Sequence, residues 1–214
     1  MILSGPSIAP KSGNAPKSVI IFLHGLGADG ENLIGVAPYM AETFPDTVFH
    51  SPNAPFGFDM FDQGYQWFSL ADRTPEKILA GVQKAAPILN QYIDEILAKY
   101  NLDESKLALV GFSQGTMTAL HAAIRREKKI AGLVGFSGNL IAPDLLAAEA
   151  KVKPDICLIH GDADDVVPHA SLAAAERALK KAGFNAEAHT RPFLPHSIDM
   201  GGIEIATKFL QARL

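Results

Sequence analysis

The hydrophobic positions of this chain fall into two kinds of segment that alternate from beginning to end. Short runs rich in β-branched and apolar residues predict buried strands at 18–24, 47–50, 106–111, 130–136, 155–160 and 186–191. Between them, apolar residues recur every three or four positions and predict helices at 33–44, from 74 onward, from 117, and at 171–182 and 203–214. Strands that alternate with helices form crossover units, so we predict an α/β fold with a mostly parallel sheet and helices on both faces.

Two helix ends carry clear local signals. Thr74 is followed by Pro75, an N-cap residue with a proline in the first turn, and Pro87 lies inside the same helix, where it predicts a kink. Gly183 follows the Ala-rich helix of 171–182 and is typical of a helix C-terminus.

The composition limits the size of the fold and the kinds of partner. The 214 residues, 48% of them hydrophobic, predict one domain spanning 1–214 with a substantial core. A net charge of −4 without a long basic run argues against nucleic acid as a partner. Without a signal-like N-terminus or an apolar run of ~20 residues, we expect a cytoplasmic protein with no stable membrane insertion. The single Cys157 excludes an intramolecular disulfide, and a homodimer remains open.

The strongest chemical signal is Gly111-Phe112-Ser113-Gln114-Gly115, a G-x-S-x-G motif between a predicted strand and a predicted helix. That context is the one a nucleophile elbow requires, since its glycines allow a tight turn that exposes the serine hydroxyl. An ordinary Gly-rich turn with a helix-capping serine is the alternative, but it does not account for the whole arrangement. Ser113 is therefore the candidate nucleophile.

A serine nucleophile needs a base and an orienting acid, which follow it along the chain in this order: serine, acid, histidine. Three aspartates compete for the acid in the segment 161–168, after the strand at 155–160, with Asp164 preferred and Asp165 second. His196 follows the last strand and is the candidate base, because the other histidines fit strands, helices or a surface helix start better.

The same segment also has an alternative interpretation, as a metal-binding cluster. The residues concerned are His160, Asp162, Asp164, Asp165 and His169. Their spacing matches no zinc or calcium pattern, and a serine nucleophile needs no metal, so we expect no metal site here.

The reaction also needs donors for a developing oxyanion. One is the backbone N–H of Gln114, the residue after the nucleophile. The second should come from the loop His24-Gly25-Leu26-Gly27-Ala28-Asp29-Gly30, whose glycines let backbone N–H groups turn inward. A plain strand-to-helix turn would explain one of these glycines but not three.

In order and spacing, these segments resemble the carboxylesterase/phospholipase family of α/β hydrolases, which includes the acyl-protein thioesterases. The resemblance covers nearly the whole chain and rests on the loop at His24, on Trp67-Phe68, on the motif around Ser113, on His160-Gly-Asp-Ala-Asp164 with Val167-Pro168, and on His196. It implies Asp164 as the acid, Leu26 and Gln114 as oxyanion donors, no cofactor, and a carboxylic ester, thioester or lysophospholipid as substrate. Thioesterases of the family usually have an aspartate soon after Trp-Phe, whereas Ser69-Leu-Ala71 follows here, which favours the small-ester branch.

Two loop lengths bear on the substrate. Residues 137–154 are too few for a cap domain, so we expect an open site. Residues 52–73 form a long aromatic-rich segment that we interpret as a flap, in which Trp67 and Phe68 supply an apolar wall for the acyl chain. Alternatively, these aromatic residues simply cover the edge of the sheet.

Together these features predict a serine carboxylesterase for short- to medium-chain esters of small molecules, working through an acyl-enzyme. The alternative is an acyl-protein thioesterase or lysophospholipase with the same triad. A peptidase normally needs a cap or propeller that does not fit in 214 residues, and non-catalytic proteins on this fold typically lose a triad residue, whereas none is lost here.

Overall fold

A computed structural model describes residues 3–214, which form a seven-stranded sheet in the order β1-β3-β2-β6-β7-β8-β9. Every neighbouring pair is parallel except β1 and β3. The strands are β1 (Ser7–Ile8), β2 (Ser18–Leu23), β3 (Thr47–His50), β6 (Leu107–Phe112), β7 (Gly132–Phe136), β8 (Ile156–Gly161) and β9 (Ala186–Arg191). The predicted mostly parallel sheet is confirmed.

Helices cover both faces of this sheet, as predicted. One face packs against α3 (Pro75–Tyr100), α4 (Gln114–Ala123) and α6 (Ala170–Lys181). The other face packs against α1 (Gly30–Ile34), α2 (Ala37–Met40) and α7 (Met200–Gln211). Strand β2 contributes to both cores because its residues alternate, with Val19 and Ile21 on the first face and Ile20 and Phe22 on the second. Parallel strands buried on both faces therefore form continuous apolar runs in the sequence.

The helix predicted at 33–44 is two short helices in the structure. Pro38 lies in the first turn of α2. A proline there has no N–H to donate to the carbonyl of Ile34, so α1 cannot continue through it, although it suits a new helix start. Helix α3 runs unbroken through Pro87 over 26 residues, with Thr74 as its N-cap as predicted.

The aromatic-rich segment of 52–73 contains a small hairpin, β4 (Phe56–Gly57) with β5 (Tyr65–Gln66). The hairpin is tied to the loop after β2, since the Gly27 N–H donates to the Tyr65 carbonyl and the Tyr65 N–H donates to the Ala28 carbonyl, both at 2.8 Å. Gly64 has a positive φ of 83°, and a Cβ there would lie 2.1 Å from the Gly27 carbonyl oxygen. Only glycine allows the two loops to approach this closely.

The segment of 137–154 holds a 3₁₀ turn (Pro143–Leu145) and α5 (Leu146–Glu149), with nothing of the size of a cap. A second 3₁₀ turn, Glu104–Lys106, precedes β6. Between residues 3 and 214, no helix has both the length and the apolar character needed to cross a membrane.

Candidate active site

Ser113 occupies the sharp turn between β6 and α4 with φ +53° and ψ −116°, a backbone conformation that a non-glycine residue rarely adopts. The flanking glycines make this turn possible. A Cβ at Gly111 would lie 2.5 Å from the Thr116 nitrogen, and one at Gly115 would lie 1.8 Å from the Leu23 carbonyl oxygen. The strained turn places Ser113 in the lining of a cavity that it shares with His196, as the motif predicts.

The structure brings Ser113, His196 and Asp164 together in one series of hydrogen bonds. Ser113 Oγ lies 3.0 Å from His196 Nε2, and His196 Nδ1 lies 2.8 Å from Asp164 Oδ2. A carboxylate only accepts, so Nδ1 carries the proton and Nε2 is free to accept the hydroxyl proton of Ser113. Asp165, the second choice for the acid, is exposed to solvent, and no hydrogen bond joins it to His196 in the described structure.

The Asp164 side chain is fully buried, yet its charge is well compensated. Oδ1 accepts the backbone N–H groups of Val166 and Val167 at 2.9 and 2.8 Å. Burial acts to raise the pKa of this carboxyl, but the hydrogen bonds from His196 and from these two N–H groups outweigh it, and the pKa lies below its usual value. Asp164 is therefore a carboxylate at neutral pH, as an orienting acid must be.

The backbone N–H groups of Leu26 and Gln114 find no acceptor among residues 3–214. Gln114 is the first residue of α4, where N–H groups have no intrahelical partner. Both residues line the same cavity as Ser113. Two N–H groups without an acceptor, on residues that line one cavity with Ser113, are what the predicted oxyanion site requires.

Buried hydrogen bonds hold these two donors in place. The Gln114 side chain accepts the Trp67 N–H at 2.8 Å and donates to the Phe68 carbonyl at 2.7 Å. The Trp67 indole N–H donates to the His24 carbonyl at 3.0 Å. His24 Nε2 accepts the Ala54 N–H at 2.9 Å, so Nδ1 carries the proton and donates to the Gly25 carbonyl at 2.7 Å. Burial lowers the pKa of His24, which keeps this ring neutral.

An open cavity of about 420 Å³ lies in front of Ser113 and His196. Its apolar wall is formed by half-buried side chains of the loop after β5, of α3, of α4 and of the loop after β7, namely Leu70, Ile78, Met117 and Ile141. The predicted wall of Trp67 and Phe68 is wrong, because these side chains are 0% and 1% exposed and pack in the core beneath the cavity. The flap segment contributes Leu70 and Arg73 instead.

Sequence reasoning missed these wall residues, although one of them carried a usable signal. Met117 lies four positions after Ser113, on the same face of the predicted helix. Ile78 and Ile141 come from distant segments, and no local pattern connects them to Ser113.

The residues weighed as a metal cluster do not gather around one point. Asp162 accepts the Phe193 N–H at 2.6 Å, and His169 lies 2.9 Å from the Thr190 hydroxyl. Of the other residues in this set, His160 is the one whose side chain contacts Asp164, with His160 Nε2 3.0 Å from Oδ2. Elsewhere in the described chain, single ligand atoms of Cys157, Glu187 and His189 lie within 4.8 Å of one another. That group faces the α7 side of β8 and β9, away from Ser113.

Comparison with known proteins agrees with this geometry. The sequence model of the Phospholipase/Carboxylesterase family matches residues 4–214 of this chain. The chain belongs to this family. This chain is 29% identical to "Acyl-protein thioesterase 1 homolog 1" of Dictyostelium discoideum, over 92% of this chain and 91% of that one. It is 27% identical to "Esterase YpfH" of Escherichia coli, over 91% of this chain and 82% of that one.

Solved structures place this member of the family on the α/β-hydrolase fold. The crystal structure of esterase PE8 superposes with a TM-score of 0.94 at 39% identity and covers 99% of both chains. Acyl-protein thioesterase 2 of Zea mays shares the fold with a TM-score of 0.77 at 23% identity, covering 98% of this chain and 99% of that one. The chain is thus a serine hydrolase of the carboxylesterase family, and the contacts of Ser113, His196 and Asp164 are those of a triad.

Proposed function

We propose that this chain is a carboxylesterase that hydrolyses short- to medium-chain esters through an acyl-enzyme. The observation that carries the proposal is the hydrogen-bonded series Ser113, His196, Asp164 at the base of an open, apolar-walled cavity. Among residues 3–214 no cap domain covers the cavity, which favours small esters that reach Ser113 directly from solvent.

The proposed reaction uses each group at a stated atom. Ser113 Oγ attacks the ester carbonyl carbon while its proton passes to His196 Nε2, and the carbonyl oxygen becomes an anion between the N–H groups of Leu26 and Gln114. Collapse of this intermediate breaks the bond to the alkoxide, which takes the proton from His196. A water molecule then repeats the sequence on the acyl-Ser113 ester and releases the acid. Asp164 keeps the imidazole in the required tautomer throughout.

The alternative is an acyl-protein thioesterase or lysophospholipase, supported by the printed names of several relatives, including that of Dictyostelium discoideum. The same triad and oxyanion site would serve a thioester. The small-ester proposal is favoured because the segment of 137–154 carries no cap domain that would enclose a long acyl chain. A panel of p-nitrophenyl esters, acyl thioesters and lysophospholipids decides between them by kcat/KM.

The decisive test is Ser113→Ala. Its kcat on p-nitrophenyl butyrate should fall by on the order of 10⁴-fold or more, because the variant keeps binding and the oxyanion site but has no nucleophile. A fluorophosphonate probe should label the wild-type chain once and the variant not at all. Activity or labelling that survives the substitution would refute the assignment.

A further inference from the structure

Asp164 is contacted by two histidines, and the reaction described above uses only one of them. Oδ2 lies 2.8 Å from His196 Nδ1 and 3.0 Å from His160 Nε2, while Oδ1 accepts the two backbone N–H groups of the turn. The His160 side chain is 1% exposed and lies at the end of β8, four residues before the acid. The carboxylate therefore lies within reach of four donors.

The hydrogen-bond partners of His160 fix which of its nitrogens carries the proton. His160 Nε2 also lies 2.9 Å from the Val167 carbonyl oxygen. A carbonyl oxygen only accepts, so Nε2 is protonated and donates to Val167, and the same nitrogen lies 3.0 Å from Oδ2 of Asp164. Burial lowers the pKa of His160, although the bond to Val167 and the charge of Asp164 oppose this. The ring is neutral at pH 7.

The surroundings of His160 contain few other titratable groups. The His169 ring, at the start of α6, lies edge-on with its centroid 5.9 Å from that of His160, and His196 contacts the same oxygen of Asp164 as His160 does. Toward α4, β7 and the body of α6, a void of about 10 Å³ is lined by residues without titratable side chains: Thr116, Leu120, Gly135, Asn139, Leu172 and Ala175. The Asp164 carboxylate is the only acid that contacts the ring within the described chain.

We propose that His160 is a positioning residue of the triad, whose Nε2–H holds the Asp164 carboxylate in place. Because this N–H also interacts with Oδ2, it weakens the attraction of that oxygen for a proton on His196. This inference rests on the proposed function. It predicts that His160 affects two measured quantities. One is kcat, through the fraction of molecules with a correctly oriented triad, and the other is the pH at which His196 becomes available as a base. Loss of the donor strengthens the attraction of Asp164 for a proton on His196 and frees the carboxylate to rotate.

The test compares His160→Leu with His160→Gln in the full-length chain. Leucine removes the donor, whereas glutamine can place an amide N–H near the position of Nε2. For His160→Leu, kcat should fall about 10- to 100-fold, and the acid limb of the pH–kcat/KM profile should move up by about one pH unit. His160→Gln should restore both values toward wild type. His121→Leu, which removes a buried histidine outside the site, should leave the acid limb where it is.

Two results would overturn the proposal. One is a His160→Leu enzyme whose acid limb coincides with that of wild type. The other is a His160→Gln enzyme as impaired as His160→Leu with an unmoved limb. If His160→Leu does not fold, ¹⁵N NMR of the wild-type histidines provides the test: the proton of neutral His160 must be on Nε2, and a proton on Nδ1 refutes the arrangement. If Ser113→Ala is inactive but the acid limb of His160→Leu is unmoved, only the proposed role of His160 is rejected. If Ser113→Ala is active, the esterase mechanism itself is rejected.

Discussion

At the scale of single residues, this site depends on which groups are buried and which donors surround them. Asp164 and Asp165 are neighbours of identical chemistry, but only Asp164 turns inward, where two N–H groups and His196 stabilise its charge. The sequence favours Asp164 through the family resemblance. The second histidine on the same carboxylate was not predicted, because the contact of His160 with Asp164 depends on the tight turn after β8.

This difference between adjacent aspartates gives a matched pair of variants. Asp164→Asn should lower kcat by on the order of 10⁴-fold, because an amide can donate to His196 Nδ1 and favours the wrong tautomer. Asp165→Asn, on an exposed side chain, should retain nearly full activity. The measurement is kcat on one ester for both variants, and a larger loss for Asp165→Asn would show that the acid is assigned one residue too early.

The Gln114 side chain connects the active site to the loop that carries Trp67 and Phe68. Gln114→Ala leaves the backbone N–H in place but removes the side chain that joins α4 to the Trp67 and Phe68 backbone, leaving a buried N–H and carbonyl without partners. We expect kcat/KM to fall about 10-fold, by the same factor for acetyl and hexanoyl esters, since the oxyanion site serves both equally. A loss confined to the hexanoyl ester would place Gln114 in the acyl wall instead.

At the scale of elements, the sequence predicted what periodicity and motif context determine, and missed what depends on distant packing. Strands β3 and β9 were predicted at their observed bounds, because each is a short run between clear turn residues. The division between α1 and α2 was missed, since the apolar spacing continues across Pro38. Aromatic residues bury themselves in cores as readily as they line sites, which is why the sequence alone could not show that Trp67 lies beneath the cavity.

Helix α3 offers a test of the corrected acyl wall. Ile78 lines the cavity, whereas its half-buried neighbour Leu79 does not. In the wild type, each buried methylene adds about 0.8 kcal/mol, so kcat/KM should rise about fourfold per carbon from acetyl upward and level off well before palmitoyl. Ile78→Ala should lower the hexanoyl value about 5- to 20-fold and the acetyl value less than about twofold. Leu79→Ala is the control, and an equal effect of both variants would contradict this wall.

At the scale of the whole molecule, stability depends on histidines that the reaction does not use. His50 is buried between Tyr92 and Tyr100, and His121 is buried in α4 with no partner for Nδ1 in the described structure. Burial, aided by the charges of Lys99 and Arg125 respectively, lowers the pKa of each ring from 6.5 to about 4. Between these values the unfolded chain binds more protons than the folded chain.

The free energy of unfolding should therefore be at its full value above pH 6.5 and should decline as the pH falls toward 4. The expected loss is about 2 kcal/mol per histidine between pH 6.5 and 5. Urea unfolding at a series of pH values measures it. His121→Leu should remove the contribution of one such ring from the slope while preserving activity at pH 8, and a variant with the wild-type slope would show that His121 is not neutral in the folded state.

The position of Trp67 gives this enzyme an intrinsic optical probe. It is the single tryptophan of the chain, shielded from solvent, and its indole N–H bonds to the backbone that leads into the oxyanion loop. The His24 ring lies 5.9 Å from the indole, close enough for its protonation to quench the emission. Fluorescence from one site thus reports on the loop that holds the proposed Leu26 donor. An acyl-enzyme that tightens this loop would change the emission during turnover, so stopped-flow fluorescence could follow acylation without a dye, a chromogenic leaving group or an engineered label.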